Sequence, residues 1–564
     1  MRMKRSACAV RSDTFVGRVN RPATTSSPLI PLLVATLAFV AGLQLLRGAL
    51  AGLSVYLGQV RDLDPLLLGM LIFAIFLTGF AAPLIRRLPG ARWAFLILAA
   101  GLALLLLAEQ FVGQPDVRLA LDIAGVVLWL WLVQLVIVGD HAPEQDHSAA
   151  PAVIVLLLGL MIDTAIKGAF GTLDLSAAAG LAPRLTTIAL TSVQLALILS
   201  LARTRTDLDA AKAPAASAFA VGPALALQLL FFQNIAGHTA LVGWTLPASL
   251  AWTLAANLVA IGVALALIRR GSAVPRWASL AAAGLLIASL VPNLPVPLVA
   301  VGAFVGPVAI AVLMATALAG RATARVGWIA AALGLLAIPL VLFGWYAHYE
   351  IAVPVPQWLI PLVAGVLVAG HPLSGTFARV RSLHLPRSAG EMSWSDRGGL
   401  ALLDRLSRRC CHRDLRPPSA FGISPQRGER GIGSGISCRF AGGEGCKRLL
   451  SRCRGGAGMI VVVGALLLLL LPLHQVVTWN SPSAPPAGWH SLRVLTYNIH
   501  QGFDLSGRPG LEAIAAVIEA EQPQIVALQE VPRGWVVNGA VDALSWLAQR
   551  LEMHAAWGLS LIHI

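Results

Sequence analysis

Charge is what this sequence has least of. Only 12% of its 564 residues are Asp, Glu, Lys or Arg, against roughly a quarter in a water-soluble domain, whose surface has to be hydrated. Hydrophobic residues make up 57% and the mean hydropathy is +0.76. The ordinary soluble class is thereby excluded, and most of the chain is expected in lipid. Cysteine is scarce too: of six, Cys410, Cys411, Cys438, Cys446 and Cys453 crowd into one basic stretch and Cys8 lies near the amino terminus. No Cys-x-x-Cys and no Cys/His pair stands at metal-ligand spacing, so neither a zinc site, a disulfide framework nor a redox motif is expected. No ATP-binding loop motif occurs, which argues against primary active transport.

The formal net charge of +15 is confined to two segments. Residues 1–28 carry Arg2, Lys4, Arg5, Arg11, Arg18 and Arg21 against Asp13, and residues 379–454 carry sixteen Lys/Arg against six acids, leaving the other 460 residues neutral. Basic charge placed only in flanking segments marks cytoplasmic stretches beside a membrane rather than a nucleic-acid surface. Apolar runs long enough to cross a ~30 Å hydrocarbon layer as a helix of about 20 residues recur from residue 29 onward. They fall near 29–46, 66–85, 93–112, 119–139, 151–167, 185–201, 218–237, 244–268, 277–291, 297–319, 326–346, 357–371 and 459–477. That makes about 13 spans, many rich in the small residues that let helices approach closely in lipid.

Loop charge sets the orientation. With a cytoplasmic amino terminus, even-numbered spans exit onto Arg86, Arg87 and Arg92, onto Arg203, Arg205 and Lys212, onto Arg269, Arg270 and Arg276, and onto Arg321 and Arg325. Odd-numbered exits are nearly neutral, and only the acidic loop Asp140 to Asp146 goes against the pattern. The chain then divides into a basic cytoplasmic tail (1–28), a polytopic region of about 12 helices (29–371), a basic Arg/Gly/Cys-rich segment (372–458), a last span (459–477), a Pro/Ser linker (478–491), a small domain (492–557) and a tail (558–564). Thirteen spans place the carboxyl-terminal part outside the cytoplasm.

Within the basic segment, 385–455 has no apolar period of 2 or 3.6. Two readings stand for it: a disordered cytoplasmic loop, or out-of-frame text from a GC-rich gene. A span lost there would invert the orientation of everything downstream. The last six residues, LSLIHI, resemble the translation of a transposon end used in sequencing libraries, so the chain is expected to be truncated near there.

After the linker the texture changes. LRVLTYNIH (Leu492 to His500) reads as a strand, and GLEAIAAVIEAEQP (Gly510 to Pro523), with Leu511, Ile514, Val517 and Ile518 on one face, as an amphipathic helix. QIVALQEV (Gln524 to Val531) reads as a second buried strand, and VDALSWLAQRLEM (Val541 to Met553) as a second helix. LTYNIHQG followed some 30 residues later by PQIVALQEV resembles the opening of the endonuclease/exonuclease/phosphatase superfamily. The fold class expected is therefore a polytopic α-helical membrane protein followed by the truncated start of an α/β four-layered sandwich domain of that type.

The resemblance implies a site at two adjacent strand ends, where Asn498 and Glu530 would help to hold Mg²⁺ (or Mn²⁺) and the scissile phosphate. A hard cation prefers oxygen ligands, which suits the Glu530 carboxylate, and the Asn498 amide offers both a donor and an acceptor. The bland readings are a strand-ending turn Asn and a solvated Glu. His500 directly follows the first motif, where the family does not place its catalytic base. Since the family's remaining motifs lie later than this sequence reaches, the fragment is expected to be inactive and the complete product to be the enzyme. In order of parts the chain is also similar to eukaryotic proteins that remodel the lipid of glycosylphosphatidylinositol anchors.

Ionisable residues within spans are costly and draw a functional reading. Asp163 and Lys167, four apart, share a helix face and are expected to pair with each other, an ion pair at the end of the fifth span ahead of a substrate site. Asn234 and His238 are expected to share a face of the seventh span, as polar helix-packing contacts ahead of a lipid-headgroup site. Glu109 and Gln110 are expected at the membrane interface. The leading expectation is a multi-pass cell-membrane protein with an extracytoplasmic, metal-dependent phosphoesterase domain, its partners the lipid bilayer and a phosphoester substrate, with a lipid headgroup among the candidates. Nucleic acid is the weaker partner, because Arg493, Arg508, Arg533 and Arg550 are balanced by acids. The alternative is a transporter-like or lipid-binding membrane protein with a degenerate, non-catalytic domain. No motif specifies the substrate or the oligomeric state.

Overall fold

The computed structural model describes residues 29–87, 90–138, 150–203, 215–270, 275–292, 294–318, 327–350, 354–370, 467–468, 470–478, 491–504 and 507–558. The basic tail 1–28, the segment 372–458, the acidic loop, Arg205, Lys212, Arg321, Arg325, most of the linker and of the 459–477 span, and LSLIHI lie outside the described residues.

The first helix, α1 (Leu29–Ala51), widens into a π-helical stretch at Gly52–Val60, so the apolar run continues well past its expected end at residue 46. A 3.6-residue period gives way there to a looser turn, a frequent feature of functional helices. Next come α2 (Pro65–Leu77), its short continuation α3 (Ala82–Arg87), α4 (Ala91–Glu109), α5 (Pro115–Ile137), α6 (Ala150–Ala169) and α7 (Leu181–Arg203). Asp64 starts α2 by accepting from the Leu66 and Leu67 amides, with Pro65 at the first helical position. The set closes with α8 (Ala215–Leu227), α9 (Ile235–Val242), α10 (Leu246–Arg270), α11 (Arg276–Ser289), α12 (Val296–Leu318) and α13 (Gly327–Glu350).

Among the described residues nine helices are long and apolar enough to cross a membrane, or ten when Ser217–Phe232 and Ile235–Val242, bent by 47°, are taken as one broken span. The protein is a multi-pass membrane protein. The thirteen expected positions include α11 and Leu359–Gly370, which are apolar but short, and a last run described only near Leu470–Thr478.

The bundle is apolar outside and locally polar inside, the reverse of a soluble protein. Leu66, Met70, Trp93, Ile97, Leu104, Leu181, Leu199 and Trp277 point outward, where hydrocarbon meets them without cost. Inside, small residues set the crossings. Trp129 of α5 lies on Gly42 of α1, where a Cβ would fall 1.8 Å from its ring. Gly222 of α8 and Gly334 of α13 bring two backbones together, since a Cβ on Gly222 would stand 1.7 Å from the Gly334 carbonyl oxygen.

The carboxyl-terminal segment has two parallel strands, β1 (Val494–Asn498) and β2 (Ile525–Gln529), paired from Val494↔Ile525 to Asn498↔Gln529. Leu495, Tyr497, Val526 and Leu528 face a core of Leu511, Ile514, Ala515 and Ile518 on helix Leu511–Glu521 and Ala543 and Leu547 on helix Ala543–Arg550. Leu173 of the membrane region completes that core. Arg550 joins the two helices through Glu519 and Glu512, whose charges hold its guanidinium above its ordinary value. The order strand, helix, strand, helix is as read from the sequence. One two-stranded sheet is present among the described residues, where the truncated start of a four-layered sandwich was expected.

Because the α8–α13 crossing admits no side chain, Gly222→Val should lower the thermal midpoint of the purified protein, at about 1–3 kcal/mol for overpacking. Gly262→Val, where a Cβ meets nothing within 4 Å, should leave it in place.

Candidate functional site

The two strand-end residues expected to form a metal site do come together. Parallel pairing puts Asn498 opposite Gln529, and Glu530 then turns the chain with a left-handed φ of 54°, a conformation that costs a non-glycine residue energy. Its carboxylate Oε1 accepts a 2.8 Å hydrogen bond from Asn498 Nδ2, while Asn498 Oδ1 accepts from the His500 amide at 2.9 Å. Both side chains are exposed. The Asn498 oxygen accepts one hydrogen bond and keeps a second lone pair, and no group of three or more His, Cys, Asp or Glu that could hold a metal occurs among the described residues.

The dense chemistry lies elsewhere, where α1, α6 and the turn after α6 meet. Arg47 grips Asp163 in two bonds, Nη1 to Oδ2 at 2.8 Å and Nη2 to Oδ1 at 2.7 Å. It also holds Asp174, Nη2 to Oδ1 at 2.6 Å and Nε to Oδ1 at 3.0 Å. Gln44, one turn before Arg47, donates to Asp163 at 3.0 Å and accepts from the Leu175 amide at 3.0 Å. Arg47, Asp163 and Asp174 are each at most 5% exposed. Bidentate geometry and full hydrogen bonding are what a buried ion cluster needs to offset its desolvation.

Lys167 does not pair with Asp163, contrary to expectation. Its Nζ lies 3.6 Å from Asp174 Oδ2 and donates to the Gly539 carbonyl at 2.6 Å. The i,i+4 spacing allowed the first pairing, but Arg47 satisfies Asp163 more fully. Sequence reading missed Arg47 and Asp174. For Arg47 a signal existed, since the apolar run continues past it to Val60 and so places it inside the helix. Asp174 sits in a turn and carried none.

Asn234 and His238 do not act as one helix face. Asn234 sits at the break of the seventh span, accepts from the Gly237 amide at 2.9 Å and donates to the Gly534 carbonyl at 2.5 Å. His238 meets Thr253 Oγ1 at 3.2 Å through Nδ1 and the Phe231 carbonyl at 2.9 Å through Nε2. Gln233, also at the break, meets Gln228 and Asn257 at 2.9 Å each, and Thr164 donates to Gln233 at 2.8 Å. Backbone and amides freed by a broken helix are tolerated in a membrane only when protein groups satisfy them. Glu109 is likewise not an interface residue. It is 2% exposed and pairs with Arg118 at 3.0 Å, while Gln110 occupies the turn that follows α4.

The carboxyl-terminal segment is built into this end of the bundle. Residues Arg533 to Asp542 form a pinched loop, closed by the Gly534 amide on the Val541 carbonyl at 2.9 Å. Asp542 starts helix Ala543–Arg550, holds Arg533 at 3.0 Å, and takes the Thr239 hydroxyl of α9. The Asp542 amide donates to Thr172 Oγ1 at 2.8 Å, Ser54 Oγ to the Val537 carbonyl at 2.7 Å, and the Val536 amide to the Tyr346 hydroxyl at 2.8 Å.

No family model matches the chain, and no curated protein matches it. Among solved structures, the crystal structure of D-xylose-proton symporter is similar at 14% identity and a TM-score of 0.36, over 62% of this chain and 97% of that one. A likeness that loose assigns neither substrate nor role. The expected phosphoesterase is corrected: the Glu530 carboxylate is bonded to Asn498, and the architecture the described residues show is a multi-pass helical membrane protein.

Arg47→Gln leaves Asp163 buried without its cation and Asp174 with Lys167 alone, a change that costs about 3–5 kcal/mol. It should lower the thermal midpoint in detergent sharply, followed by tryptophan fluorescence. Arg61→Gln, which breaks an exposed pair with Asp116, should leave that midpoint in place.

Proposed function

We propose that this chain is a transporter-like membrane protein that takes a small polar ligand, free or as a lipid headgroup, into the interior of its helical bundle. In this reading the carboxyl-terminal segment is a degenerate relative of the endonuclease/exonuclease/phosphatase fold, kept for contact with the bundle and not for catalysis. The observation that carries the reading is the buried cluster of Arg47, Asp163, Asp174 and Lys167 packed between apolar helices at one end of the bundle. Charges within a membrane are costly, and their usual uses are ligand sites and ion pathways. The break in the seventh span supports it, since discontinuous helices in lipid occur where they line a polar interior.

The finer topology belongs to the same proposal: thirteen spans, with the carboxyl-terminal segment on the extracytoplasmic side. Two observations favour that sidedness. Every bundle residue that segment hydrogen-bonds around the cluster follows or ends an odd-numbered span: Ser54 after the first, Gly113 after the third, Thr172 after the fifth, Asn234 and Thr239 in the seventh, and Tyr346 in the eleventh. The arginine-bearing exits, at Arg87, Arg203, Arg269 and Arg270, belong to even-numbered spans, which the positive-inside rule turns toward the cytoplasm.

The test is uptake by proteoliposomes holding the full chain, offered a panel of labelled polyols, amines, amino acids and carboxylates. Saturable uptake of one class above empty vesicles, lost in Asp163→Asn, is the expected result. Flux equal to that of empty vesicles for every class, together with Mg²⁺-dependent phosphodiester hydrolysis, would overturn it.

A further inference from the structure

Beside the ion cluster, between the outer turn of α1, the start of α5 and the carboxyl-terminal segment, lies a cavity with about 70 Å³ of room for water-sized bodies. This is space for a few non-hydrogen atoms, given that a single water needs some 10–15 Å³ by the same measure. Much of its wall is apolar, with Leu119, Leu173, Phe503 and Leu511, and Tyr56 adds an aromatic face. Asp122 of α5 also lines it.

Asp122 is the anomaly of the bundle. It is 2% exposed, it is packed against Gly48 of α1, no donor reaches its Oδ1, and its carboxyl lies within hydrogen-bonding reach of the Glu109 carboxyl. The charged groups that face it are Glu109 from α4, Arg118 from its own helix and Asp174 from the turn after α6, with Arg47 from α1 on the same cavity wall. None of the cations is free for it. Arg118 donates to Glu109 Oε1 at 3.0 Å and to the Ser176 carbonyl at 2.7 Å, and Arg47 is spent on Asp163 and Asp174. Glu109 Oε2 also lacks a partner. At the rim Arg508 pairs with Asp504 and Arg61 with Asp116, each neutral as a pair. Arg47, Lys167 and Arg118 thus stand against four carboxyls, Asp163, Asp174, Glu109 and Asp122, of which the last two face each other.

Two facing buried carboxyls cannot both stay ionised unless something adds positive charge and a hydrogen-bond donor between them, a shared proton or an outside cation. A metal ion supplies charge but asks for several oxygen ligands, which a largely apolar wall does not offer. An alkylammonium group supplies both: three N–H donors for carboxylate lone pairs, and a short carbon stem for the apolar wall. We propose that the cavity is a binding site for a primary ammonium group, held by Asp122 with Glu109 behind it. This deepens the transport reading by naming a ligand class, and it rests on that reading only for passage through the bundle.

Binding alone is read in the test, so a failure to transport and a failure to bind are told apart. The full chain in detergent is melted with increasing ethanolamine, tetramethylammonium or sodium chloride, and again in nanodiscs of phosphatidylethanolamine or phosphatidylglycerol. Ethanolamine should raise the midpoint saturably by a few degrees. Asp122→Asn should abolish that shift and Glu109→Gln should weaken it, while the exposed Glu552→Gln keeps it. A shift already present in phosphatidylethanolamine nanodiscs, to which free ethanolamine adds nothing, identifies the headgroup as source. A shift from ethanolamine in both nanodiscs identifies the free amine. The proposal is overturned if tetramethylammonium or sodium acts as well as ethanolamine, if no amine acts, or if Asp122→Asn retains the shift. It is equally overturned if the midpoint follows pH alone, which would make a proton the missing charge. Should Asp122→Asn fail to fold, the Glu109→Gln titration decides on the same terms.

Discussion

A guanidinium that has left water needs carboxylates on nearly every side, and Arg47 finds them on two different elements, Asp163 of α6 and Asp174 of the turn beyond it. The medium around the bundle offers no water to substitute for either. The first helix, the sixth and the turn between Ala169 and Leu181 therefore have to arrive together, and Gln44 closes the arrangement by binding both Asp163 and the Leu175 amide. Much of the remaining architecture at this end follows. With Asp163 taken, Lys167 reaches Asp174 and the Gly539 carbonyl, which draws the carboxyl-terminal segment onto the bundle.

That segment behaves as part of the membrane protein's own polar accounting. Its loop from Arg533 to Asp542 supplies carbonyls to Lys167, Asn234 and Ser54, takes the hydroxyl of Thr239 on Asp542, and donates backbone amides to the hydroxyls of Thr172 and Tyr346. A strand-helix-strand-helix motif that resembles the opening of an enzyme domain is here bonded into a helix bundle through backbone groups. Contact of that kind needs no catalytic side chain, and it explains a role for the segment once Asn498 and Glu530 are seen to satisfy each other.

Much of the fold was legible. The spans announced themselves because a helix in hydrocarbon has to be apolar along its whole length, and the even exits because arginine collects on one side of a membrane. The two strands and two helices after residue 492 were legible by alternation and by a one-sided apolar stripe. The juxtaposition of Asn498 and Glu530 was legible too, as a motif, although what the pair does was not. Misreadings came where one residue had two eligible partners. Asp163 could pair within its own helix or across the bundle, and Glu109 could meet the interface or Arg118; burial decided both.

By itself, then, the sequence determined that the chain dwells in lipid, where its helices run, and which ends of them carry positive charge. Each of these is a property of neighbours along the chain, summed over one helix length. Only the tertiary structure decided which charges neutralise one another, because the acids that hold Arg47 lie 116 and 127 residues further on. In a solvent that cannot hydrate an ion, partnership is set by who is buried beside whom, and no local pattern records that.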